Sequence, residues 1–166
     1  LDATLRVERT AFGKEEEAEL VAALLQDPTA RPHLSLLALI DDMPVGHVLF
    51  TPVAIGGTAT TVSAAILAPL AVFPNFQRQG IGKALIEDGA RRLAASGVSL
   101  LFVLGDPAYY TRSGFAPAAP VGLLPPYPIV PQEAWMVRSL GPDILGTVSG
   151  YVSCAHSLDK PEYWRE

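Results

Sequence analysis

One strand–loop–helix passage restricts this chain of 166 residues more than any other. An apolar run, Leu67–Val72, leads into Pro74-Asn75-Phe76-Gln77-Arg78-Gln79-Gly80-Ile81-Gly82-Lys83. A helical pattern then starts at Ile81, with Leu85, Ile86, Ala90, Leu93 and Ala94 recurring on one face up to Gly97. Glycine has no Cβ, so Gly80 and Gly82 let a ligand approach the backbone closely. A helix start also presents unpaired N–H groups and the positive end of its dipole, which makes the loop an anion site. Arg78 and Lys83 add local positive charge to a chain whose 17 acids and 12 bases give a net charge of −5. The competing reading is a glycine-relaxed turn that binds nothing.

Two phosphate-loop patterns fail against the letters. A Walker A loop needs a glycine at position 77 and Ser or Thr after Lys83, but Gln77 and Ala84 stand there. The dinucleotide fingerprint needs a third glycine where Leu85 stands.

The remaining pattern is that of an α+β fold. Thr4–Arg9 alternates and reads as a strand, followed by a helix over Glu15–Gln26 with Glu15, Glu16 and Glu17 at its start. Leu34–Ile40 and Val45–Ile55 flank Asp41-Asp42-Met43-Pro44 as an antiparallel hairpin. Ala59–Phe73 reads as one or two strands broken by Pro69, and Leu100–Leu104 as a buried strand. A short helix over Ala108–Ser113, strands over Trp135–Leu140 and Thr147–Ala155, and a non-repetitive segment 116–131 with six prolines complete the order. The order implies a mixed, mostly antiparallel sheet with helices on its faces.

Gln77-x-x-Gly80-x-Gly82 resembles the Q/R-x-x-G-x-G/A signature of the GNAT N-acetyltransferase superfamily. Tyr109-Tyr110-Thr111-Arg112-Ser113-Gly114-Phe115 resembles its second signature, a tyrosine on the fourth helix followed by Gly-Phe. Gly105-Asp106-Pro107 and His47 are similar to a bacterial YhbS-like branch. The resemblance covers residues 4–140; it implies one GNAT domain over 1–166, with 141–166 as a C-terminal extension of unassigned role. It also implies the three-layer acyl-CoA N-acyltransferase fold, a sheet of about seven strands whose strands four and five splay apart. Val72 and Leu104 then mark opposite lips of one cleft.

The implied activity is direct transfer of acetyl from acetyl-CoA, a cosubstrate, to an amine without a metal. Leu70, Ala71 and Val72 are implied to pair with the pantetheine arm. Gln77, Arg78, Gln79, Gly80, Ile81, Gly82 and Lys83 are implied to hold the pyrophosphate, with backbone N–H groups near Ala71 polarising the acetyl carbonyl. Tyr110 is the preferred candidate for general acid to the departing thiolate, since a phenol can donate a proton there; Tyr109 is its alternative, and the competing reading is that both rings simply pack. Asp106 is a candidate base or amine contact, with the role of turn-former before Pro107 beside it. An imidazole titrates near neutrality, but His47 lies mid-hairpin and reads as a hydrogen-bonded structural residue. Cys154 reads as an inert buried thiol.

The acceptor is a primary amine of a small molecule or peptide; the alternative is a catalytically silent acyl-CoA-binding sensor or partner module. The 116–131 segment, with Leu123, Leu124, Tyr127 and Ile129, shapes either the acceptor pocket or the face of a homodimer, the pocket being preferred. The acidic balance disfavours nucleic acid, which needs clustered Lys and Arg. No apolar window is long enough to cross a bilayer. A single cysteine excludes an internal disulfide, no leader-like segment is legible near Leu1, and the expected location is cytoplasmic.

Overall fold

The computed structural model describes residues 3–7, 15–57 and 61–165. Helix α1, Glu15–Gln26, stops where the Asp27 carboxylate accepts from the Thr29 N–H (2.8 Å) and hydroxyl (2.6 Å). A 3-10 turn, Pro28–Ala30, follows. Strands β1, Leu34–Ile40, and β2, Met43–Gly56, form the expected hairpin. Asp41 and Asp42 both take positive φ (49° and 64°) at its tip, the conformation whose twist matches that of the flanking strands.

Strand β3, Ala64–Val72, runs antiparallel to β2 and leads through the loop to helix α2, Ile81–Ala95. Strand β4, Leu100–Leu104, returns parallel to β3, a connection that needs the helix as its crossover. Helix α3, Pro107–Tyr110, follows, and then β5, Ala116–Pro117; β6, Leu123–Leu124; β7, Trp135–Ser139; and β8, Gly150–Ser153. The strands form one mixed sheet in the order β5-β7-β4-β3-β2-β8-β6, with β1 also on β2.

Period-two alternation divides the core between the two faces. Leu100 and Phe102 of β4, Ile66 of β3 and Trp135 of β7 pack with Leu20, Val21 and Leu24 of α1. Leu101 and Val103, Leu67, and Met136 pack instead with Leu85 and Ile86 of α2. The sheet is therefore the middle of three layers, with α1 and α2 outside. Among the described residues no helix is long and apolar enough to cross a membrane.

Two expectations change. Residues 3–7 are helical rather than a strand; Thr4 (5% exposed) and Val7 (fully buried) sit three apart, so they share a helix face. Residues 8 and 9 of that expected strand lie outside the described residues. Pro69 does not break β3 in two, because the strand carries it through a bulge. The C-terminal stretch joins both sheet and core: β8 pairs with β2 and β6, and Val148, Val152, Leu158 and Trp164 enter the α1-side core.

Candidate functional site

The site begins with Pro69, which has no N–H to give a ladder. Pairing of β2 with β3 steps from Phe50↔Leu67 to Val48↔Leu70, so β3 holds one extra residue at Ala68–Pro69. Pairing of β3 with β4 stops at the same place, Leu67↔Val103. Beyond it the two parallel strands part. This is the splay expected of strands four and five, which become β3 and β4 once residues 3–7 are helix.

Two cavities meet at the split. The larger, of about 920 Å³, lies between the loop leading into α2 and the segment 105–113. The smaller, of about 340 Å³, lies between α1, the mouth of the split and residues 158–165. Leu70 and Tyr110 line both.

The loop is built to present backbone. A 3-10 turn, Pro74–Phe76, follows β3, and the Gln77 side-chain amide donates back to the Val72 carbonyl (3.1 Å). Arg78 (φ 64°) and Gly80 (φ 82°) turn the chain into α2, and the Ala84 N–H is the first to bond back, to Gly80 O (2.9 Å). The N–H groups of Ile81, Gly82 and Lys83 are thus left without intrahelical partners at the cleft wall. Leu70, Val72, Gln77, Arg78, Gly80, Ile81, Gly82 and Lys83 all line the larger cleft.

Ala71 and Gln79, grouped with them in the sequence, do not line it. Ala71 is 3% exposed and opposite His47 in the ladder. Because the Phe73 N–H donates to Val45 O (2.8 Å), alternation turns the Ala71 amide toward β2 and those of Leu70 and Val72 toward the opening. The Gln79 side chain bonds to the Asn75 carbonyl (3.4 Å).

The opposite wall starts at Gly105, where a Cβ would overlap the Tyr110 ring. The Asp106 carboxylate caps α3 by accepting from the Ala108 N–H (3.0 Å), and it lines the larger cleft only. A 3-10 turn, Thr111–Ser113, ends at Gly114 (φ 85°). Tyr110 stands edge-to-face with Tyr109 (4.9 Å between centroids) and with buried Phe115 (5.7 Å). Tyr109 faces the larger cleft, with the Arg112 guanidinium 5.8 Å from its ring centroid. Burial pushes the Tyr109 hydroxyl above its ordinary pKa, against the opposing pull of Arg112. Arg138 of β7 secures this wall: it forms a two-pronged pair with Glu87 of α2 (2.8 and 3.0 Å) and donates to Ser113 O (3.0 Å).

Other candidates lie apart. His47 is fully buried in β2, with Nε2 2.9 Å from the Ser35 hydroxyl. Cys154 is half-buried, and burial pushes its thiol up to about 12. Neither cavity is lined by the 116–131 segment. Leu123 and Ile129 go into the core instead, and the Tyr127 hydroxyl donates to Asp159 (2.8 Å). The smaller cavity draws on residues the sequence did not mark: Glu16 and Glu17, read as helix-start acids, and Glu162, Tyr163 and Trp164. For Glu16 and Glu17 the only signal was acid clustering at one helix start, which a solvated face produces equally well; residues 162–164 carried none.

The chain is similar to known proteins along most of its length. The model of the acetyltransferase (GNAT) family matches residues 1–115. The chain is 46% identical to YjhQ, an uncharacterized N-acetyltransferase of Escherichia coli K12, over 90% of this chain and 83% of that protein. It is 35% identical to YhbS, an uncharacterized N-acetyltransferase of the same strain, over 92% of this chain and 87% of that one. The crystal structure of E. coli YhbS in complex with CoA superposes with a TM-score of 0.86 at 31% identity, covering 96% of this chain and 86% of that one. A GNAT family acetyltransferase from Brucella melitensis in complex with acetyl-CoA gives 0.73 at 30% identity, over 95% and 92% of the two chains.

Proposed function

The chain belongs to the acetyltransferase (GNAT) family, and from that premise we propose that it transfers acetyl directly from acetyl-CoA to a primary amine of a small molecule or peptide. One observation carries the reading: Tyr110 lines both cavities at the point where β3 and β4 part. A thioester held in one cavity and an amine in the other would meet beside its hydroxyl.

The fit to acetyl-CoA rests on the unpaired N–H groups of Ile81, Gly82 and Lys83, with Arg78 and Lys83 beside them. Helix-start amides and cations suit a pyrophosphate. The Leu70 and Val72 amides, which face the opening, suit an acyl carbonyl oxygen, an oxyanion-type contribution of roughly 3–4 kcal/mol. Tyr110 would supply the proton to the thiolate that leaves. Asp106 caps α3 through one oxygen and lines only the larger cleft, so it does not border an amine held in the smaller cavity.

The test is thermal and chemical. Acetyl-CoA should raise Tm, since a ligand bound only by the folded state stabilises it, and ATP or NAD should do so far less. A panel of amines with acetyl-CoA should release free thiol. An equal shift with ATP overturns the cofactor assignment, and a CoA-specific shift without thiol release from any amine leaves a silent acyl-CoA-binding module.

A further inference from the structure

The smaller cavity has a chemical character of its own. Its wall is apolar through Leu20, Leu104, Leu158 and Trp164, while its charged groups are Glu16, Glu17 and Glu162 against Arg165. One oxygen of the Glu17 carboxylate, Oε2, is shielded from solvent and has no hydrogen-bond partner. A carboxylate oxygen in that state is costly unless something donates to it. The surrounding field has the same sign: Glu162, Glu19, Glu16 and Glu17 all act with burial to push the Tyr163 hydroxyl above its ordinary pKa.

We propose that this cavity is the acceptor site, that it takes small cationic amines bearing no carboxylate, and that Glu17 is the residue that selects them. The inference rests on the acetyltransferase reading above and adds the acceptor's class. At about 340 Å³ the space is at the small end for ligand sites, so a compact amine fits and a folded protein's surface loop does not. The aliphatic and indole wall takes the apolar body. An ammonium supplies the donor that Glu17 Oε2 lacks, whereas a second carboxylate brought against Glu16, Glu17 and Glu162 is repelled. The selecting residues come from opposite ends of the chain, α1 and the segment 158–165. The C-terminal part lies outside residues 1–115, which match the family model. Acceptor choice thus joins Glu17, inside the matched region, to a C-terminal wall that the family model does not cover.

The experiment uses two pairs of amines that differ only by a carboxylate: 2-phenylethylamine with phenylalanine, and 1,5-diaminopentane with lysine. Binding of each to the CoA-loaded protein is measured by calorimetry, and thiol release from acetyl-CoA is followed with each. At least one carboxylate-free member should bind and turn over, with kcat/KM at least about tenfold above its amino-acid partner. Glu17→Gln should raise KM and Kd for that amine by roughly tenfold or more, the scale of one charge-assisted hydrogen bond. It should leave the acetyl-CoA Tm shift in place, which also shows that the variant folds. Glu162→Gln should narrow the preference in the same direction. The proposal is overturned if the amino acids are preferred, if none of the four amines binds, or if Glu17→Gln leaves the preference unchanged while acetyl-CoA still stabilises both proteins. Loss of acetyl-CoA stabilisation in the unmodified chain would instead remove the acetyltransferase reading, and this inference with it.

Discussion

The Tyr109 hydroxyl occupies the space that a Cβ on Gly82 would need. The glycine of the first helix turn and the tyrosine of the opposite wall thus close the larger cleft between them. Any side chain at position 82 must displace Tyr109 before it meets a ligand. Gly82→Val should therefore weaken acetyl-CoA binding strongly, and adding Tyr109→Phe should recover part of the loss, because the residues are coupled through contact. Calorimetry on the single and double variants gives the coupling. Unchanged affinity in a folded Gly82→Val protein would reduce the loop to a turn.

Tyr110→Phe keeps the edge-to-face packing on Tyr109 and Phe115 and removes only the hydroxyl. If that hydroxyl protonates the departing thiolate, kcat should fall by roughly 10²–10⁴-fold. The Kd for acetyl-CoA should hardly move, as expected for a group that acts in the transition state. Tyr109→Phe is the control and should change kcat little. The larger loss in Tyr109→Phe would exchange the two roles.

Asp27 fastens the end of α1 to the C-terminal segment, accepting from the Ser157 N–H (2.9 Å) as well as from Thr29. The Thr29 hydroxyl and these N–H donors hold its carboxyl far below the ordinary value of 3.8. A lowered folded-state pKa gives stability that is present above about pH 4 and is lost as pH falls below it. Asp27→Ala should cost on the order of 2 kcal/mol near neutrality, from a lost cap and buried hydrogen bonds. Its Tm should also be less sensitive to acid than that of the unmodified chain. Parallel Tm–pH curves for the two proteins would refute the assignment.

Cys154 should resist alkylation at pH 8 in the folded protein and react readily in denaturant. Burial, aided by Asp159, raises its thiol from 9.0 to about 12, so almost no thiolate is present. The sign for stability is opposite to that of Asp27. The contribution is complete below pH 9 and is lost as pH rises toward 12. Cys154→Ala should flatten that alkaline decline. Rapid stoichiometric labelling at pH 8 would show an exposed, ionisable thiol instead.

Local chemistry wrote much of this protein into its sequence. The 3.6-residue spacing between Gly80 and Gly97 defines α2, and the continuous apolar run 100–104 defines β4, because both signals depend only on neighbours in the chain. The strand–loop–helix passage with its local cations was legible for the same reason, since glycines, a helix start and Arg78 and Lys83 are near neighbours in the chain. Other features depend on partners far away in sequence. Residues 3–7 alternate like a strand, yet they are helical with Thr4 and Val7 buried together. Pro69 reads as a strand breaker, but β3 carries it as a bulge against β2, and only the simultaneous end of pairing with β4 turns it into the mouth of the site. Ala71 sits within the right strand, and the bond from Phe73, two residues on, to Val45 fixes the alternation that turns the Ala71 amide toward β2. The smaller cavity needed the whole fold: Glu17 and Trp164 lie at opposite ends of the chain, and only the packing of α1 and the C-terminal segment on one face of the sheet makes them walls of one space.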